Sequence, residues 1–159
     1  MEISQLKKNP DEISNEIFEL MKELYPICRS ITGEGVRKTL KILQNHFPLV
    51  KHEIPTGTEV FDWKIPKEWN VTDAYIEDLS GQKIIDFKKT NLHLVSYSVP
   101  IKSKISNELL KKHLFSIPEQ PKTIPYITSY YSENWGFCLE HEKLMKMNDE
   151  EYNVVIESK

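Results

Sequence analysis

The residues best suited to chemistry crowd into one stretch, "CRSITGEGVRKT", Cys28 to Thr39, which combines a thiol, two guanidinium groups, three hydroxyl groups and a Gly-Glu-Gly turn. A phosphate cradle is the first chemistry to test. The dinucleotide fingerprint needs a third glycine at position 38, where this chain has Lys38, and the turn should follow a strand. A P-loop needs its lysine directly after a second glycine, five residues beyond the first, which "GEGVRKT" does not supply. The Glu34 carboxylate would also sit at the helix N-terminus, where a phosphate would have to go. Nucleophilic catalysis by Cys28 needs a base, an orienting group and preferably a helix N-terminus, yet this cysteine follows a helix end. The spacing predicts instead a small buried thiol closing a helix hairpin.

Metal chemistry is no better supplied. "HEKLM" at His141 begins like the helical zinc motif, but Met145 stands where the second histidine should be, so the i, i+4 pair is missing. His46, His52, His93 and His113 show no ligand spacing. Asp73, Glu77 and Asp78 flank a hairpin and read as a solvated strand face. No complete active site can be assembled from this chain.

The elements that must position these residues follow from periodicity and capping. Asn9, Pro10 and Asp11 mark a helix start, and Ile13, Ile17, Leu20, Met21 and Leu24 give it one apolar stripe ending near Tyr25-Pro26. Val36, Leu40, Leu43 and Phe47 predict a second helix stopped by Pro48. "CRSITGEGVRKT" joins the two, with Thr32 expected as cap. Beyond Pro48 "LVKHEI" alternates, "VTDAYIEDLSGQKIIDF" reads as two strands around Ser80-Gly81, and "LHLVSYSV" reads as a strand before Pro100. Ser106 caps a short helix in "NELLKKHLF", "IPYITSYYSENWGF" is extended, "EHEKLMKM" offers a helical turn or two, and "EYNVVIES" is a strand. A buried-type strand normally hands on to a covering element, so this last one suggests a piece of something longer.

Phe61, Trp63, Trp69, Tyr75, Tyr126, Tyr130, Tyr131, Trp135 and Phe137 could form a stacking platform for a sugar or peptide, or could build a core and a domain contact. "NVT" at Asn70 matches a glycosylation acceptor, a triplet common by chance. With 21 basic against 24 acidic residues and a net charge of −3, the chain offers no electrostatic footprint for nucleic acid or an anionic membrane. No window approaches the roughly 18 apolar residues of a membrane span, and two cysteines without framework spacing suit reduced thiols. A cytoplasmic protein is the expectation.

Longer phrases carry a resemblance. "YPICRSITGEGVRKTLKIL", "EVFDWKIPKEWNVTDAYIEDLSGQKIIDF", "NLHLVSYSVP", "LKKHLFSIPEQPKTIPYITSYYSENWGFCLEH" and "YNVVIES" resemble the N-terminal part of bacterial aminopeptidase-like proteins of the DUF4910 type, relatives of the M28 zinc exopeptidases often associated with surface-polysaccharide loci. The resemblance implies an α+β chain: an N-terminal helical pair and a β-rich inserted domain of the DUF2172 kind, forming a fragment of an α/β phosphorylase/hydrolase-like zinc exopeptidase. It divides the chain into opening helices at 1–55, the inserted domain at 56–140 and a return segment at 141–159. It also implies a pair of zinc ions in the intact family, held by segments absent here, so this chain alone is expected to be inactive and to partner the missing metal-binding half. Only the early loop carries over, with Arg29, Thr32, Gly33 and Gly35 placed near the active site of the intact protein. A free-standing module binding peptide, glycan or a partner domain through the aromatic β region is the alternative reading.

Overall fold

The computed structural model describes residues 9–29, 32–129 and 132–159. Helix α1 spans Pro10–Leu24 and begins where local chemistry dictates: the Asn9 side chain accepts a hydrogen bond from the Asp11 amide at 3.2 Å, and Pro10 takes the first turn. Helix α2 spans Glu34–Leu43. Its cap is Gly33 rather than Thr32, and no side chain of the cap residue bonds the helix. The reason is backbone geometry: Gly33 has φ +114°, a conformation that glycine tolerates and that turns the loop before a threonine cap could form.

The next segment, expected to alternate as a strand through "LVKHEI", runs without regular structure to a small hairpin of β1 (Glu59–Val60) and β2 (Trp63–Lys64). Strands β3 (Val71–Glu77) and β4 (Lys83–Asp86) then form the hairpin read from the sequence, turning at Asp78, whose carboxylate accepts from the amides of Ser80 and Gln82. "LHLVSYSV" is not a strand. Asn91–His93 is a 3-10 turn, Tyr97 holds φ +67°, and only isolated bridges tie Leu94 to Phe137 and Ser96 to Thr128. The strand begins just beyond Pro100, as β5 (Ile101–Ser106), because proline has no amide to give to a ladder. Helix α3 (Asn107–Leu110) follows under its Ser106 cap and continues as a 3-10 turn to His113. β6 (Leu114–Phe115) pairs in parallel with β7 (Phe137–Cys138), and α4 (His141–Leu144) leads to β8 (Glu151–Ser158).

The main sheet has the order β4-β3-β8-β5, antiparallel throughout. The last strand therefore lies inside the sheet, hydrogen-bonded on both sides. Its run of Val154, Val155 and Ile156 is explained there: Val154 and Ile156 enter the core with Tyr152, Ala74, Ile76 and Ile85. The irregular segment between β4 and β8 covers this face with Leu94, Leu110, Leu114, Phe137, Leu139 and Met147. The opposite face sets charged groups around Val155 and Tyr75, with Lys88 bonded to Asp73 at 2.8 Å and Lys83 lying 4.1 Å over the Tyr75 ring. The expected division at 140/141 meets no break in this sheet, since β8 from the return segment pairs with β3 and β5 from the inserted domain. The architecture is α+β. Among the described residues every buried apolar side chain of the core lies between Trp69 and Ile156, and neither α1 nor α2 has a buried residue.

That asymmetry predicts the energetics. Ile76→Ala, which empties a fully buried site, is expected to lower unfolding free energy by about 2–5 kcal/mol in urea titrations, whereas Ile17→Ala on α1 should cost under about 0.5 kcal/mol. A pH effect follows from His93. It is buried against the Cys138 carbonyl, 2.8 Å from Nδ1, with Lys143, Glu140 and Asp86 as its charged neighbours. Desolvation holds its pKa below the ordinary 6.5, so the unfolded chain takes up a proton more readily than the folded one. Its contribution is full above 6.5 and is lost as pH falls below that value. Thermal unfolding between pH 7 and 5 should show a drop in Tm that is smaller in His93→Gln.

Candidate functional site

The loop that drew attention in the sequence is clamped between the two helices and the start of the sheet domain. Gly35 lies directly against the Cys28 carbonyl, where an added Cβ would come within 1.9 Å of the oxygen. An added Cβ on Gly33 would meet the Trp69 carbonyl at 2.7 Å. Both positions therefore exclude any side chain. Arg29 donates to the Leu24 carbonyl at 3.0 Å, closing the C-terminal end of α1. Thr32 places its hydroxyl 3.3 Å from that of Tyr97.

The segment Glu68-Trp69-Asn70 meets this loop from the other side. Asn70 Oδ1 accepts from the Glu34 amide at 2.8 Å, so the helix cap comes from a residue 36 positions away. Glu68 takes both guanidinium nitrogens of Arg37, one at 3.0 Å, while Arg37 also binds Glu34 at 2.6 Å. The hydrogen bond from Arg37 holds the Glu68 carboxyl below its usual range. Trp69 donates its indole N–H to the Ser98 carbonyl at 2.9 Å and stacks on Tyr97 with ring centroids 5.5 Å apart. The same Ser98 carbonyl accepts from Ser158 at 2.7 Å, and the Asn70 backbone exchanges two hydrogen bonds with Lys159. Two clefts flank this node. One of about 390 Å³ is lined by Trp69, Tyr97, Val99, Ser129 and Ser132, and another of about 280 Å³ by Val36, Leu40, Val50 and Ile54.

Arg29, Thr32, Gly33 and Gly35 are thus brought together in one loop, and each is engaged in holding it. None is joined to a nucleophile–base pair. The Cys28 thiol has its pKa pushed up by burial and that of Cys138 is raised to about 11, the reverse of an activated nucleophile. Ser116 and His141 are 2.9 Å apart, but the contact is to Nδ1, and among the described residues no carboxylate orients the ring. His113 is stacked 3.8 Å from Trp135 and bonded to its carbonyl. Among the described residues no group of three or more His, Cys, Asp or Glu side chains could hold a metal ion, so these residues do not fit the zinc pair that the resemblance implies. No helix among them is long and apolar enough to cross a membrane.

The aromatic residues do not converge. Phe137 lies in the core, Trp69 pairs with Tyr97, and Tyr75 underlies Lys83. Tyr126 and the Phe61–Trp63 hairpin are exposed at the surface. Tyr130 and Tyr131 lie outside the described residues. Two participants escaped the sequence reading. Tyr97 carried no local sign of its positive φ, and Asn70 drew notice only as a glycosylation triplet, although its side chain is committed to α2.

Fold and site together define an α+β protein in which an antiparallel sheet domain receives a helical lead-in through a hydrogen-bonded clamp. The chain belongs to the DUF2172 family, described as a domain of unknown function, whose pattern matches residues 68–159, from the residue that binds Arg37 to the end of the chain. It is 52% identical over 157 residues to a Clostridium acetobutylicum protein provisionally named as a polysaccharide biosynthesis protein with an aminopeptidase-like domain, covering 99% of this chain and 36% of that one. A crystal structure of a provisionally named peptidase from Clostridium acetobutylicum superposes with a TM-score of 0.91 at 53% identity, over 93% of this chain and 35% of that one. The chain therefore spans about a third of the length of the relatives it matches.

Removal of the long-range cap tests the clamp. Asn70→Ala should cost about 1 kcal/mol and speed amide exchange at the start of α2, while Asn70→Asp, which keeps the acceptor, should behave nearly as wild type. Gly35→Ala, which forces the loop off the Cys28 carbonyl, should destabilise more than Asn70→Ala in the same urea titration.

Proposed function

We propose that this chain is the N-terminal part of an M28-like zinc aminopeptidase-like protein of the DUF4910 type. Its role in the whole is to carry the DUF2172 domain and the helices that lead into the catalytic fold. One observation carries the reading: 99% of the chain aligns at 52% identity with only 36% of a relative named for an aminopeptidase-like domain and for polysaccharide biosynthesis. The chemistry of the described residues supports the same division of labour. His93, His113 and His141 are engaged in hydrogen bonds and the two thiols are held protonated by burial, so this part contributes structure and the whole protein would supply the metal ligands. Peptide hydrolysis, or a step of surface-polysaccharide assembly that uses the same fold, is the activity proposed for the intact protein in the cytoplasm.

The test is a chimaera: the Clostridium acetobutylicum relative with its matched third replaced by this chain. The chimaera is expected to release amino acid from an aminoacyl p-nitroanilide, to lose activity on dialysis against a chelator and to regain it with zinc. This chain alone should be silent with or without zinc. A relative that cleaves the substrate while the chimaera does not would reject the assignment of this chain to the same whole, and a relative that is itself inactive would reject the peptidase activity.

A further inference from the structure

The structure leaves apolar groups on the outside that a self-contained domain would bury. Helix α1 is amphipathic, yet Ile17 is 54% and Met21 60% exposed, and no residue of the helix is buried. A fifteen-residue helix is marginal in water unless its apolar face is packed. The β1–β2 hairpin presents a second such group. Phe61 at its tip is fully exposed and holds φ +53°, a left-handed conformation that is disfavoured for a bulky side chain. Trp63, on the same hairpin, is also exposed. Strain and exposure thus coincide at one aromatic residue.

We infer that the apolar stripe of α1 and the Phe61 hairpin tip form a docking surface for the other two thirds of an aminopeptidase-like polypeptide, with Phe61 as its anchor. The inference rests on the reading proposed above. The occupant is indicated by the superposition: the Clostridium acetobutylicum structure keeps this arrangement over 93% of the present chain, and most of that molecule lies outside the match. The described arrangement is thus one that persists beside a large additional body of protein. The surroundings suit an interface with an apolar centre and polar rim, since Glu19–Lys22 and Glu59–Lys64 ion pairs border the two apolar groups. Docking within one polypeptide also benefits from high effective concentration, so two modest patches suffice.

Hydrogen exchange tests the surface without reading activity. In the chimaera described above, α1 and hairpin amides should exchange at least about 100-fold more slowly than in this chain alone, with β8 amides alike in both. Ile17→Asp with Met21→Asp should return α1 exchange in the chimaera towards that of the isolated chain, and leave the isolated chain unchanged. Phe61→Asn suits the left-handed backbone, so it should leave the isolated chain no less stable while reducing protection in the chimaera. Equal α1 exchange in chimaera and isolated chain would overturn the inference, as would aggregation of a chimaera whose two parents stay soluble. Concentration-dependent protection of the isolated chain, with a dimer in sedimentation, would give the surface to a second copy and also overturn it. An inactive chimaera with protected α1 would retain the docking and reject the peptidase reading, and an active one with unprotected α1 would do the reverse.

Discussion

Asn70 is the residue on which the arrangement depends. Its side chain satisfies the free amide at the start of α2, and its backbone pairs with Lys159 at the far end of the chain. One residue thus joins the helical lead-in, the first strand of the sheet and the last. Its neighbours extend the join: Glu68 neutralises Arg37 on α2, and Trp69 reaches through Ser98 to Ser158. Gly33 and Gly35 are pressed against Trp69 and Cys28, so neither position has room for a side chain. The bond satisfies one of the amides that every helix leaves without an intrahelical partner at its start, a service that Gly33 has no side chain to perform.

The sheet has the same long-range character. Its central strand is the last to appear in the chain, and β3 waits for a partner some eighty residues on. The core is complete only when β8 is in place, since Tyr152, Val154 and Ile156 lie at its middle. Pairing of this kind brings high contact order, and with it slow closure of the domain. The irregular segment between β4 and β8 is not a passive connection, because it supplies the layer that makes one face of the sheet dry.

Groups that looked reactive are spent on the fold. Cys28 receives Gly35 at its carbonyl, His93 is buried on the Cys138 carbonyl, His113 lies flat on Trp135, and Arg29 closes α1. Burial pushes the Cys28 thiol up and the His93 imidazole down, and the other groups are held by hydrogen bonds or stacking, in a chain that spans about a third of its aminopeptidase-like relative.

Local physics made α1, the β3–β4 hairpin, the Ser106-capped helix and the strand nature of "EYNVVIES" legible from sequence, because caps, turns and periodicity act within a few residues. The failed catalytic patterns were legible for the same reason, since a missing glycine or histidine at a fixed spacing is visible without a structure. What the sequence could not decide were relations between distant residues. Thr32 looked like the cap, but Asn70 takes that role across 36 positions. "LHLVSYSV" has strand composition, but Tyr97 is turned to φ +67° where it stacks on Trp69. The final strand read as a buried-type strand, and only the fold shows that it is paired on both sides, between β3 and β5. Sequence determined the elements through short-range capping and patterning, whereas tertiary structure decided their partners, because those contacts form only once chain segments far apart are packed together.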